Sequence, residues 1–319
     1  MPPGHGRCST GPLPTVRTVD RRQTDARTRI TVLVALAANL LIAAAKAAGG
    51  LVTASPALLS EAAHSVADSV NEVFLLVALR RSRRSPDARH PFGYGKERYF
   101  WSLLAAVGIF VMGGCFSFYQ GIHALGEDKQ ESHAGYLAGL AVLAVALIAE
   151  GGSLVRALYQ LRRQKEGAAD PALRTVIAED GTAVLGVLLA MAGMGLHMIT
   201  GQVVWEASAS LAIGLLLVYV AYRLGREARD RLIGEAVTPE LRESLSEFLH
   251  RQPEIDNVAE LLTMRLGMDS TLVAARVDLT PGFDSEEVEL VCVRIKKRIA
   301  ATWPQADHVF LDITEAPAA

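Results

Sequence analysis

Residues 55–79 read SPALLSEAAHSVADSVNEVFLLVAL. A membrane-crossing helix needs about 20 mostly apolar residues, and this stretch is long enough. Its first two-thirds nevertheless carry Glu61, His64, Asp68, Asn71 and Glu72. These five stand at helical spacing and form one polar stripe, with His64 and Asp68 four residues apart on the same face. An ionisable side chain in a helix within lipid costs between about 2.5 and more than 10 kcal/mol. The stripe therefore faces a bundle interior or a water path, and the segment predicts a multi-span membrane protein with a site inside it.

Working outward, five more windows are long and apolar enough to span, at roughly 30–52, 99–125, 134–161, 172–199 and 203–225. Tyr99, Phe100 and Trp101 open the third span, where an interfacial aromatic anchor belongs. The fifth begins DPALRTVIAEDGTAVLGVLLAM (170–191) and is again marked by acids, Glu179 and Asp180, with Gly181 and Gly186 allowing a close helix approach. His64, Asp68, Glu179 and Asp180 on two adjacent helices can form a four-coordinate site for a divalent cation such as zinc. A proton relay or a structural polar network has the same ingredients. His123, His133 and His197 lie near span ends and are expected at the surface or interface, His250 on a solvated helix and His5 in an unordered start.

Lys and Arg in short loops stay on the cytoplasmic side. Arg17 to Arg29 precede the first span, Arg80 to Arg98 separate the second from the third, Arg156 to Arg174 flank the gap between fourth and fifth, and Arg223 to Arg231 follow the sixth. Among Lys and Arg the opposite connections hold Lys129 alone. Both termini are expected to be cytoplasmic.

After Thr238 the pattern changes to that of a soluble domain. Residues 238–251 have helical spacing with Pro239 in the first turn, 258–266 and 271–279 read as strands, 284–302 open with an Asp cap and acids, and 308–314 make a last strand. The order αββαβ predicts a small two-layer α/β domain. The expected division is 1–29 disordered and cytoplasmic, 30–235 a six-helix transmembrane domain, and 236–316 a cytoplasmic domain.

Composition agrees with this reading. Half of the 319 residues are hydrophobic and 21% are charged, and the formal net charge of −2 argues against a nucleic-acid binder, which carries a basic excess. Cys8, Cys115 and Cys292 are too scattered for a disulfide framework or a thiolate zinc site. A membrane-embedded metalloenzyme would want an arrangement such as His-Glu-x-x-His, which the sequence lacks, so no enzyme is expected and no cofactor is implied. Only six of the 32 basic residues are Lys, which with abundant Ala suggests a GC-rich bacterial source and a plasma-membrane location.

SPALLSEAAHSVADS (55–69), DARHPFGYGKER (87–98), EDGTAVLGVLLA (179–190) and the αββαβ tail together resemble the cation diffusion facilitators. The most specific part is His90-Pro91-Phe92-Gly93-Tyr94-Gly95-Lys96 following a His-x-x-x-Asp span. The resemblance covers about residues 30–316 and implies six spans, a cytoplasmic ferredoxin-like domain, a homodimer in the lipid bilayer, and export of divalent metal ions in exchange for protons. Carried over by position, His64, Asp68 and Asp180 match the family's transport-site ligands. The remaining ligand position falls on Val176, which cannot bind metal, so Glu179, Asn71, Glu72 or water would complete the shell. The Glu-Asp pair resembles the branch that holds the mitochondrial zinc transporter of animals. Zinc is the expected cargo, with manganese, iron or cobalt as alternatives that oxygen-rich donors favour, and a transport-deficient regulatory or scaffold homologue as a further one. Asp87 and His90 match positions that can bind a second metal, although Tyr94 stands where the third ligand is a His. In the tail, His250, His308 and Asp312 are scattered, and no intact binuclear metal site is expected there.

Overall fold

In the computed structural model of the chain, the described residues are 36–126, 133–163 and 171–314, without the side chains of 133–134, 163 and 171–176. The expected disordered start, 1–29, and the side chain of Val176 lie outside the described residues. Among the described residues, six helical stretches are long and apolar enough to cross a membrane. They comprise α1 (Leu36–Thr53), α2 (Pro56–Arg81), a third span made of α3 (Glu97–Gly108), a π-helical segment (Ile109–Cys115) and α4 (Phe116–Ala124), then α5 (His133–Arg163), α6 (Pro171–Thr200) and α7 (Val204–Ile233). The sixth span runs on past residue 225, where its polar turns are stitched by ion pairs such as Arg231–Glu227 and Arg226–Asp230.

The start of α2 is fixed locally. Ser55 caps it by accepting from the Leu58 amide at 3.3 Å, and Pro56 follows at the first turn, where its missing N–H costs nothing. Arg80 and Arg81 in the last turn suit the negative end of the helix dipole. Leu58, Leu143, Val187, Met194, Ile213 and Leu217 form the buried core between α2, α5, α6 and α7. The third span is locally wound as a π-helix at Gly113 and Gly114, which abut Leu217 and Val218 of α7.

The C-terminal unit follows the αββαβ order: α8 (Pro239–His250), β1 (Ile255–Arg265), β2 (Thr271–Leu279), α9 (Ser285–Thr302) and β3 (His308–Ile313). β2 is central, antiparallel to β1 and parallel to β3. Thr271, Val273, Ala275 and Val277 are its buried alternate positions, and the last three pack with Leu245, Leu249, Ile295 and Ile299 from the two helices. Asp284 and Glu287 close a reciprocal capping box at the start of α9. This unit sits against the loop before α3. A Cβ at Gly95 would stand 2.4 Å from the Leu266 carbonyl oxygen, so only glycine fits there. Tyr99 donates to the Gly267 carbonyl at 3.2 Å, and Phe92 packs edge-on against His308.

Candidate functional site

At 1.5 Å per residue, Asp68 lies about 18 Å from the start of α2, near the middle of that 26-residue helix. Asp68, Glu72, Glu150, Glu179 and Asp180 line one cavity of about 120 Å³ together with Asn39 and Asn71. That is room for several water molecules or one partly hydrated cation. Asn39 donates to Glu72 at 2.8 Å, and Ser153 donates to Asp180 at 2.7 Å. Three of the four residues expected from the second and fifth spans, Asp68, Glu179 and Asp180, thus meet at one space.

His64 stands just behind it. Its ring is buried, with Nε2 3.6 Å from Asp68 Oδ2, and neither ring nitrogen has a hydrogen-bond partner among the described residues. Buried polar atoms are nearly always paired, so an imidazole with two unpaired nitrogens calls for an explanation. Glu61 Oε1, Glu72 Oε2 and Glu150 Oε2 share its condition. Among the described residues, no three His, Cys, Asp or Glu side chains are close enough together to hold one metal ion as they stand. The side chains around this small space inside an apolar bundle are oxygen donors and one imidazole, the donor types that divalent cations take.

Two features were not singled out from the sequence. Lys46 of α1 is fully buried and pairs with Glu61 at 3.0 Å and Glu150 at 2.9 Å. Glu150, on α5, joins the cavity wall. The readable signal was an ionisable residue of each sign inside the first and fourth spans, a pattern that marks function by default. The second feature corrects an expectation. His197 is not at the surface but buried, 2.5 Å from Glu206 Oε1 and 2.9 Å from the Tyr136 hydroxyl. Its partner Glu206 opens α7, only nine residues on across a tight turn, which folds the imidazole inward.

In the loop, Asp87 and His90 do come together, with Nδ1 to Oδ1 at 3.6 Å. The Asp87 carboxylate already accepts from the Tyr94 hydroxyl at 2.6 Å and from the backbone amides of Arg89 and His90. The Tyr94 hydrogen bond, then that of His90, holds this carboxyl below the usual range. His123 and His250 are exposed, as expected, while the side chain of His133 lies outside the described residues. Asp312 is engaged by Arg276 at 3.0 Å.

Residues 32–233 match the family described as the cation efflux transmembrane domain. The chain is 33% identical over 258 residues to the mitochondrial proton-coupled zinc antiporter of Mus musculus, covering 77% of this chain and 45% of that protein. It is 31% identical over 265 residues to metal tolerance protein C4 of Arabidopsis thaliana (80% and 58%). It is 27% identical over 260 residues to the manganese efflux system protein MneP of Bacillus subtilis (76% and 85%). The chain spans about half the length of the mouse relative.

Proposed function

The chain belongs to the cation efflux family, and from that premise we propose that it carries divalent metal cations across a membrane in exchange for protons. The site is His64 and Asp68 of α2 with Glu179 and Asp180 of α6. The observation that supports this most directly is the pair of unpartnered His64 nitrogens buried beside the carboxylate-lined cavity. Carboxylates and a neutral imidazole hold a metal only when deprotonated, so metal and protons compete for the same atoms. A histidine ordinarily changes charge within the physiological range, which makes that competition useful. If the bundle rocks between inward and outward openings around the site, protons entering from one side displace the cation toward it.

Zinc is the proposed cargo, supported by the imidazole and by the relatives named as zinc antiporters. A second reading, manganese, draws on the oxygen-rich wall and on the manganese efflux relative. The Glu179–Asp180 pair supports assignment to the branch with Glu-Asp in the fifth span. Asp87 and His90 are the candidates for a second cation position, reached only by breaking the Tyr94 hydrogen bond. Residues 30–235 form the transport unit and 236–316 a cytoplasmic ferredoxin-like unit that serves homodimerisation. Both termini face the cytoplasm of a bacterial plasma membrane, following the arginine-rich connections.

Metal flux into proteoliposomes with an imposed pH gradient tests the proposal, with zinc, manganese, iron and cobalt offered in turn. Gradient-driven flux is expected for wild type and loss of it for His64→Ala and Asp180→Ala, both still monodisperse in detergent. Wild-type flux by either variant would remove that residue from the site, and flux of no ion would favour the regulatory alternative.

A further inference from the structure

Lys46 sits within LIAAAKAAGG (41–50), and its side chain is 0% exposed. An ammonium group has three N–H donors and no acceptor. All three are used, on Glu61 Oε2 at 3.0 Å, Glu150 Oε1 at 2.9 Å and Ser65 Oγ at 3.0 Å. α1, α2 and α5 therefore meet at one positive charge. Stability alone gives no reason for this arrangement. Removing charges from water costs several kcal/mol per ion, and a well-packed apolar trio of the same volume is often as stable or more so.

The two carboxylates are each half used. Glu61 Oε1 and Glu150 Oε2 are buried without hydrogen-bond partners, like the two nitrogens of His64 three residues after Glu61. Glu61 is wedged against α6 at Gly186, where a Cβ would come within 2.3 Å of Oε1. Glu150 also faces the cavity that Asp68 and Asp180 line. A resident cation thus sits behind the wall of that cavity, bonded to its lining residues Ser65 and Glu150, and takes one oxygen from each of two acids while the other oxygens stay without hydrogen-bond partners among the described residues.

We propose that Lys46 is a tethered stand-in for the transported cation, and that Glu150 is a further ligand of that cation, released from Lys46 as the metal binds. The inference rests on the transport reading above. An ammonium and a divalent metal both seek carboxylate oxygen, and the double charge wins Glu150 when Asp68 and Asp180 share in binding it. Lys46 has a flexible four-carbon stem and can follow the acid or leave it. When the metal departs, the ammonium returns to Glu150, so the acid is never left without a counter-charge in the bundle, and its return helps expel the cargo.

Equilibrium dialysis of zinc and of manganese against the full chain in detergent decides this, comparing wild type with Glu150→Gln, Lys46→Gln, the double variant and Asp180→Asn. The expected result is about tenfold weaker binding for Glu150→Gln and about tenfold tighter binding for Lys46→Gln, with the lysine effect shrinking to under about twofold when Glu150 is already Gln, as coupled partners show in a double-mutant cycle. Glu150→Gln keeps an oxygen for the ammonium and should fold; should Lys46→Gln fail to give monodisperse protein, the Glu150→Gln measurement decides alone. Wild-type affinity in Glu150→Gln, with Asp180→Asn still losing the metal, overturns the lysine proposal and leaves the transport site standing. An equal lysine effect in both backgrounds also overturns it, since that is plain through-space repulsion. A wild type that binds neither metal overturns the transport reading and this proposal with it.

Discussion

Two buried polar centres of the bundle differ in how completely their groups are partnered among the described residues. Near the end where α2 and α7 begin, Ser55, Tyr136, His197 and Glu206 form a closed set. Glu206 gives one oxygen to His197 and the other to the Ser55 hydroxyl, and Tyr136 covers the imidazole. Deeper in the bundle, around His64, Asp68 and Lys46, five buried atoms lack hydrogen-bond partners among the described residues: both nitrogens of His64 and one oxygen each of Glu61, Glu72 and Glu150. Histidine, glutamate and serine occur in both places. A polar set that satisfies itself acts as a latch between helices, whereas one that leaves donor atoms over has them free for the cation that the transport proposal puts there.

The strongest way to break this contrast is Glu206→Ala. It strands Ser55 and His197 in the interior, and removing one partner of a buried charged or hydrogen-bonded set costs about 3–5 kcal/mol. Thermal unfolding in micelles is expected to move down sharply, while zinc affinity of the folded fraction stays within about twofold of wild type, as for sites too far apart to couple. A variant with unchanged unfolding and abolished metal binding would make the latch part of the transport machinery and erase the distinction.

Tyr136→Phe tests the same centre more gently. It removes one hydroxyl at 2.9 Å from His197 Nδ1 and retains the ring that packs against the imidazole. The expected loss is about 1–2 kcal/mol of stability, the cost of one buried hydrogen bond with its partner left unpaired, and proteoliposome flux should be unaltered. Reduced flux at full stability would mean that this end of the bundle moves during transport and that Tyr136 helps it do so.

How far each centre could be read in advance follows from where its partners lie. The polar stripe of α2 was legible because its five members share one segment, and the acids of α6 because they interrupt an apolar run. Lys46 and Glu150 each stand alone among Ala, Leu and Gly, so their pairing across 104 positions in sequence appears only once α1 and α5 are side by side. His197 read as a surface or interfacial residue because it lies three residues before the end of α6; what holds it inside is Glu206 on the next helix. The αββαβ unit was legible nearly residue by residue, since caps such as Asp284 and alternating strands such as β2 are local signals. The π-helical segment at 109–115 was not, because its cause is the packing of Gly113 and Gly114 on α7 rather than any local preference.

The contrast is sharpened last by an ion pair outside the bundle. Arg294 of α9 lies 2.5 Å from Glu254, just before β1, in a unit that meets water. The hydrogen bond from Arg294 lowers the Glu254 pKa, with the charges of Arg294 and then Arg298 adding to the effect. A carboxyl whose folded-state pKa is depressed contributes stability that is present above its ordinary value and fades as pH falls through the lowered one. Solvent screening limits such a pair to under about 1 kcal/mol. Hydrogen exchange of α9 in the full chain is therefore expected to quicken only slightly in Glu254→Gln at pH 7, and the difference from wild type should vanish once the pH has dropped below the carboxylate range. A loss as large as that of Glu206→Ala would mean that charge pairing counts equally in water and in the bundle, and that incomplete pairing at His64 carries no special meaning. The low dielectric of the bundle argues the opposite, because there an unpaired group has no water to fall back on.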